Sequence, residues 1–257
     1  MSSLRPPADR DEDKRYPLPI ANGPVVPVPG VEGVYVVEGI FCIAGPLKIA
    51  RTMCIFVGPD RELTLVNTMR LDARGEAQLR GLGQVKRVVR ICSLHGMDDP
   101  YYVHRFGAEL WGMHGMTWDE HCIMCEPVVM THDLLEVTLH NLIIQECIIF
   151  FRDKQLLVTC DFIMQCENPE HEKISDLNFG WLGRWVGRCL GFKGEAITPP
   201  YYVKNFTTEK NYACIRATSY MIQELPYTVI ISGHGPPMLV DAKERRQAFI
   251  NSVDWGV

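Results

Sequence analysis

Three strand-like segments of this chain each lead into a polar turn that carries imidazole or carboxylate groups. Val85–Ile91 leads into His95-Gly-Met-Asp-Asp99, Leu156–Cys160 into Asp161, and Thr228–Ile231 into Ser232-Gly-His-Gly235. Short runs of Val, Ile and Leu bounded by Gly, Asp and Pro predict β-strands. A strand end feeding a loop is where a rigid scaffold presents functional groups. Imidazole and carboxylate are the donors that a zinc or iron site uses. The pattern asks for a sheet-based fold with ligand-type residues on loops at strand ends.

The intervening segments fill in such a fold. Val34–Ile43, Thr52–Val57 and Leu63–Asn67 read as strands, the last two joined by turn chemistry at Gly58–Glu62. Asp72–Leu82 has helical spacing with Asp72 as its N-cap, and Gly83 ends it. Pro100 opens a further helix, Tyr101 to about Leu110, with Asp99 placed as N-cap. Strands follow at Leu134–Leu139, Glu146–Arg152 and Gln155–Thr159, with a tight turn at Asp153-Lys154. Residues 175–190, with Trp181 and Trp185 at i,i+4 spacing, read as a helix, as do Thr208–Glu224 and Asp241–Val253. This order fits mixed sheets with helices outside better than a regular β-α alternation. Residues 1–24 are charged and Pro-rich, cannot bury enough apolar area to offset ordering entropy, and read as a tail. Residues 25–257 read as one domain.

Composition narrows the partners. A net charge of −5 argues against a sequence-independent grip on nucleic acid. No apolar run is long enough to span a bilayer. Most of the ten cysteines lie inside apolar runs, where a thiol behaves as a small hydrophobe. The N-terminus has no apolar h-region, so the expected location is the cytoplasm, with free thiols in a reducing compartment. His121-Cys-Ile-Met-Cys125 is a lone C-x-x-C that suits a zinc or redox pair, without the second pair of a zinc ribbon.

In order and spacing, about residues 30–255 resemble the metallo-β-lactamase superfamily. His95 falls on the first histidine of that superfamily's H-x-H-x-D-H loop and Asp99 on its aspartate. Thr159-Cys-Asp161 resembles the segment with the metal-bridging aspartate, and Ser232-Gly-His-Gly235 the last histidine turn. The resemblance implies an α+β fold, a four-layer αββα sandwich of two mixed sheets flanked by helices. It also implies metal ligation by His95, Asp99, Asp161 and His234, with His140 as a further candidate 21 residues before Asp161. Met97 stands where the loop's second histidine belongs and Pro100 where its last belongs. A thioether is soft and neutral and a proline has no donor, so the motif is degenerate. The implied cofactor is one divalent metal, zinc before iron or manganese, or none.

Each residue also has a purely structural reading. Asp99 fits a helix N-cap, His95 a hydrogen-bonded loop histidine, Asp161 a turn residue, His234 a plain glycine-flanked turn and His140 a half-buried strand histidine. Two functions follow from the resemblance. One is a metal-dependent hydrolase of a small ester, thioester, lactone or amide, with Asp99 or Asp161 as ligand and proton acceptor. The other is a non-catalytic binding or scaffold protein with a vestigial site; oxygen chemistry on iron is a third. Substrate and oligomeric state are not legible.

Overall fold

The computed structural model describes residues 23–44, 47–112, 134–138, 146–166, 185, 188–189, 191–199 and 212–253. The tail through residue 22, His121, Cys122, Cys125, His140 and most of the tryptophan-rich stretch 175–190 lie outside them. Two compact units result: Met1–Ile40 with Arg51–Val129, and Phe41–Ala50 with Met130–Val257.

A six-stranded sheet runs β1 (Val26–Pro27), β2 (Val34–Ala44), β3 (Leu47–Val57), β4 (Glu62–Val66), β5 (Gln84–Arg90) and β6 (Glu109–Gly112) in that spatial order, all of it in the first unit except the residues of β2 and β3 within Phe41–Ala50. β3 and β4 pair antiparallel, whereas β4–β5 and β5–β6 pair parallel. A parallel neighbour needs a crossover, and helices α1 (Ala73–Leu82) and α2 (Asp99–Phe106) supply the two. The alternation that predicts β4 survives in its packing: Leu63 and Leu65 point into a core that Val37, Ile55, Leu79 and Tyr102 complete. Asp72 caps α1 as its position predicts, its carboxylate accepting from the Gly75 N–H at 2.7 Å. Asp72→Ala is expected to lower stability by about 1 kcal/mol, seen as a lower urea midpoint with an unchanged slope.

Two sequence expectations need correction here. The second helix does not reach Leu110. It ends where Gly107 turns left-handed at φ 66° and its N–H returns to Val103, after which β6 pairs with β5. Helical spacing alone could not register this parallel pairing. Nor is Asp99 the N-cap. Asp98 holds that position, without a side-chain cap bond, and Asp99 is the first helical residue.

The second unit carries a four-stranded sheet in the order β10 (Val229–Ile231), β9 (Leu156–Val158), β8 (Cys147–Phe151), β7 (Leu134–Thr138). β10 and β9 are parallel, and the other two pairs antiparallel. Helices α3 (Tyr212–Gln223) and α4 (Ala242–Ser252) pack together, and α4 also lies against β10. α4 buries Ala242, Arg246 and Ile250. Arg246 donates from Nη1 to Ala196 O (2.7 Å) and from Nη2 to Thr198 Oγ1 (2.9 Å) and Ser219 Oγ (2.9 Å). Burial pushes this guanidinium down to about 9. Among the described residues, no helix is long and apolar enough to cross a membrane.

Candidate metal site

The parallel pairing of β9 and β10 sets the site. Val158 lies opposite Ile231 in the ladder. Asp161 follows Val158 by three residues, and His234 follows Ile231 by three. Equal offsets past a paired position bring the two side chains side by side at the strand ends. The ladder continues into the turns, through Thr159 N–H to Ile231 O (2.9 Å) and Gly233 N–H to Thr159 O (3.0 Å).

Two devices fix the turns. Glu146, fully buried just ahead of β8, accepts from the Cys160 N–H (3.2 Å) and the Phe162 N–H (2.9 Å). These are the amides on either side of Asp161, so one carboxylate shapes the turn that presents another. Ser232 Oγ donates to Ile163 O, just past Asp161, at 2.5 Å and accepts from the His234 N–H at 3.1 Å. Gly235 is left-handed at φ 88°, and a Cβ there would stand 2.0 Å from Gln165 O. Only glycine allows the two turns to approach this closely.

The imidazole of His234 is oriented at both nitrogens. Nδ1 lies 2.7 Å from Ala50 O, and Nε2 lies 2.8 Å from Asp161 Oδ1. A carbonyl only accepts, so the Nδ1 proton donates to Ala50. In the neutral ring Nε2 then offers a lone pair, and that lone pair faces a carboxylate oxygen. Two such acceptors at 2.8 Å need a cation with them, either a second ring proton or a metal ion. A metal-binding histidine typically donates its other N–H to a carbonyl in this way. The donor set therefore fits a divalent ion. Cys160 adds to it: its Sγ lies within 4.8 Å of an Asp161 oxygen. Sequence reading overlooked this thiol, although it sits directly before the aspartate in Thr159-Cys-Asp161.

His95 and Asp99 belong to the first unit. His95 is buried in the turn after β5, its N–H bonded to Cys92 O at 3.1 Å. Asp99 is buried too, with Oδ2 2.7 Å from Arg90 Nε and Oδ1 accepting from the Thr68 hydroxyl. Next to it, Asp98 Oδ2 lies 3.8 Å from Arg51. Burial pushes the Asp98 carboxyl up, against the pull of Arg51. Met97 is 41% exposed, and Pro100 is buried as the second residue of α2.

No family profile matches the chain, and no curated protein matches it. Solved structures do. The chain is similar to the metallo-β-lactamase FIM-1 from Pseudomonas aeruginosa in its mono-zinc form, with a TM-score of 0.54 and 10% identity over 89% of this chain and 95% of that one. It is also similar to TMB-1, at 0.52 and 11% over 87% and 98%, and to the metallo-β-lactamase DIM-1, at 0.51 and 7% over 90% and 99%. Identities this low speak to fold alone.

Proposed function

We propose that this chain, which has the α+β metallo-β-lactamase fold, is a metal-dependent hydrolase holding one divalent ion, zinc foremost, through Asp161 and His234. The observation that carries the reading is the pair of acceptors, Nε2 and Oδ1, converging at 2.8 Å with the ring already anchored through Nδ1. A catalytic zinc site takes three protein ligands. The sequence resemblance nominates His95 as a further ligand, and His140 lies outside the described residues. Cys160 suits zinc because thiolate is a soft donor.

When bound, the ion would supply Lewis-acid polarisation of a carbonyl and acidify a water. This chain's own residues do the rest. Ala50 O keeps the proton on Nδ1 of His234. Asp161 presents a carboxylate that can take a proton from a nucleophile within hydrogen-bond reach. Glu146 holds the turn that aims it. The substrate class is a small ester, thioester, lactone or amide. A cytoplasmic location accords with the thiols, since Cys54, Cys92, Cys147 and Cys160 are buried.

The test is metal analysis of the purified protein. One equivalent of zinc, iron or manganese is expected, with hydrolysis of a model ester lost on chelation and restored by the metal. His234→Ala and Asp161→Asn should each weaken zinc by at least about 100-fold, the upper range for groups that merely support a ligand. No bound metal after reconstitution would overturn the reading in favour of a scaffold on this fold.

A further inference from the structure

The loop that resembles a metal-binding motif has a cation already in place. β5 ends at Arg90, and its guanidinium folds back over the loop that follows. Nε pairs with Asp99 Oδ2 at 2.7 Å, and Nη2 donates to Gly96 O at 3.0 Å. The other Asp99 oxygen accepts from Thr68, and all three side chains are buried. A Cβ on residue 96 would stand 2.2 Å from the guanidinium carbon, so the glycine makes room for the arginine. The neighbouring acid is treated alike: Arg51 reaches toward Asp98 while donating to Thr68 O at 2.9 Å. Two buried acids thus face two buried guanidinium groups from strands of their own sheet.

We infer that Arg90 serves Asp99 as an internal counter-ion in the place where a metal would otherwise balance it, so that Asp99 is not a metal ligand and the chain holds one ion rather than two. A divalent ion at ligand distance from Asp99 would stand a few ångströms from a buried guanidinium. Like charges that close, with little water between them, repel strongly. The lack of ligand donors at Met97 and Pro100 and the presence of Arg90 act in the same direction, offering no ligands and supplying charge. The dinuclear centre of the resembling superfamily does not fit these residues. This inference rests on the single-metal reading only for its ion count.

The test has two arms. In metal-free protein, a double-mutant cycle on Arg90→Met and Asp99→Asn reads the folding equilibrium. A coupling of at least tenfold is expected, about 1.4 kcal/mol; independent effects overturn the inference. Native mass spectrometry during a zinc titration forms the second arm. One ion per chain is expected, with Asp99→Asn binding zinc within about threefold of the parent. Two ions, or a loss with Asp99→Asn as large as that with His234→Ala, overturns it while leaving the hydrolase reading intact. No zinc at all overturns that reading instead, and the stability cycle alone then decides the role of Arg90. If Arg90→Met fails to fold, Arg90→Lys takes its place in the cycle, since lysine keeps the charge and loses the fork.

Discussion

Gly235→Ala is expected to destabilise the protein by about 2–5 kcal/mol and, at the proposed metal site, to cut zinc binding in parallel. The estimate joins two costs. A non-glycine residue at φ 88° costs about 1–2 kcal/mol. The added methyl would stand 2.0 Å from the carbonyl of Gln165, and relieving that overlap by backbone movement costs about 1–3 kcal/mol more. Gln165 is no flexible surface group. It is buried, its N–H bonds His234 O at 3.0 Å, and its Oε1 accepts from the Ala196 N–H. The overlap therefore pushes the histidine turn away from the aspartate turn. Urea unfolding measures the first effect and metal analysis the second. A variant as stable and as zinc-loaded as the parent would show that the turns tolerate separation.

Glu146→Ala should cost about as much, on the order of 2–6 kcal/mol. Two buried main-chain N–H groups lose their acceptor, at about 1–3 kcal/mol each. The space left by the side chain moves the cost toward the upper end of that range. Glu146→Gln separates the contributions. It keeps an acceptor of the same shape but loses the charge that strengthens both bonds, so a loss of about 1–2 kcal/mol is expected. Both variants should weaken zinc, because Asp161 lies between the two amides that Glu146 holds. A fall in stability with zinc affinity unchanged would confine Glu146 to packing.

Much of the fold was legible because it rests on short-range rules. Alternating apolar residues in Leu63–Val66, the capping carboxylate of Asp72 and the apolar run Val229–Ile231 each act within a few residues, and each element stands where its signal lies. The α+β metallo-β-lactamase fold named by the resemblance is the fold that the chain has. What escaped reading depends on partners distant in sequence. Asp99 has the sequence neighbours of an N-cap, yet its carboxylate meets Arg90 and Thr68, nine and 31 residues away. Helical spacing also runs on through Glu109 and Leu110, and only the parallel partner β5 claims them as a strand.

The site shows the same division. Asp161 and His234 could be named from their turns, but their 2.8 Å approach follows from the β9–β10 register, which pairs positions 73 residues apart. Glu146 had a visible signal, a lone acid heading the apolar run Cys147–Phe151, and its meaning came only with the amides it faces. Arg90, the last of three basic residues in the strand Gln84–Arg90, gave no sign of turning inward.

The acceptor that orients His234 belongs to the main chain. Residue 50 can change its side chain without removing that carbonyl, so ordinary substitution there leaves the ring proton where it is. Only a change in the path of the backbone at Ala50 would release it. The tautomer that leaves Nε2 open to a cation is thus encoded in the course of the chain, and a search for it among side-chain identities would find nothing.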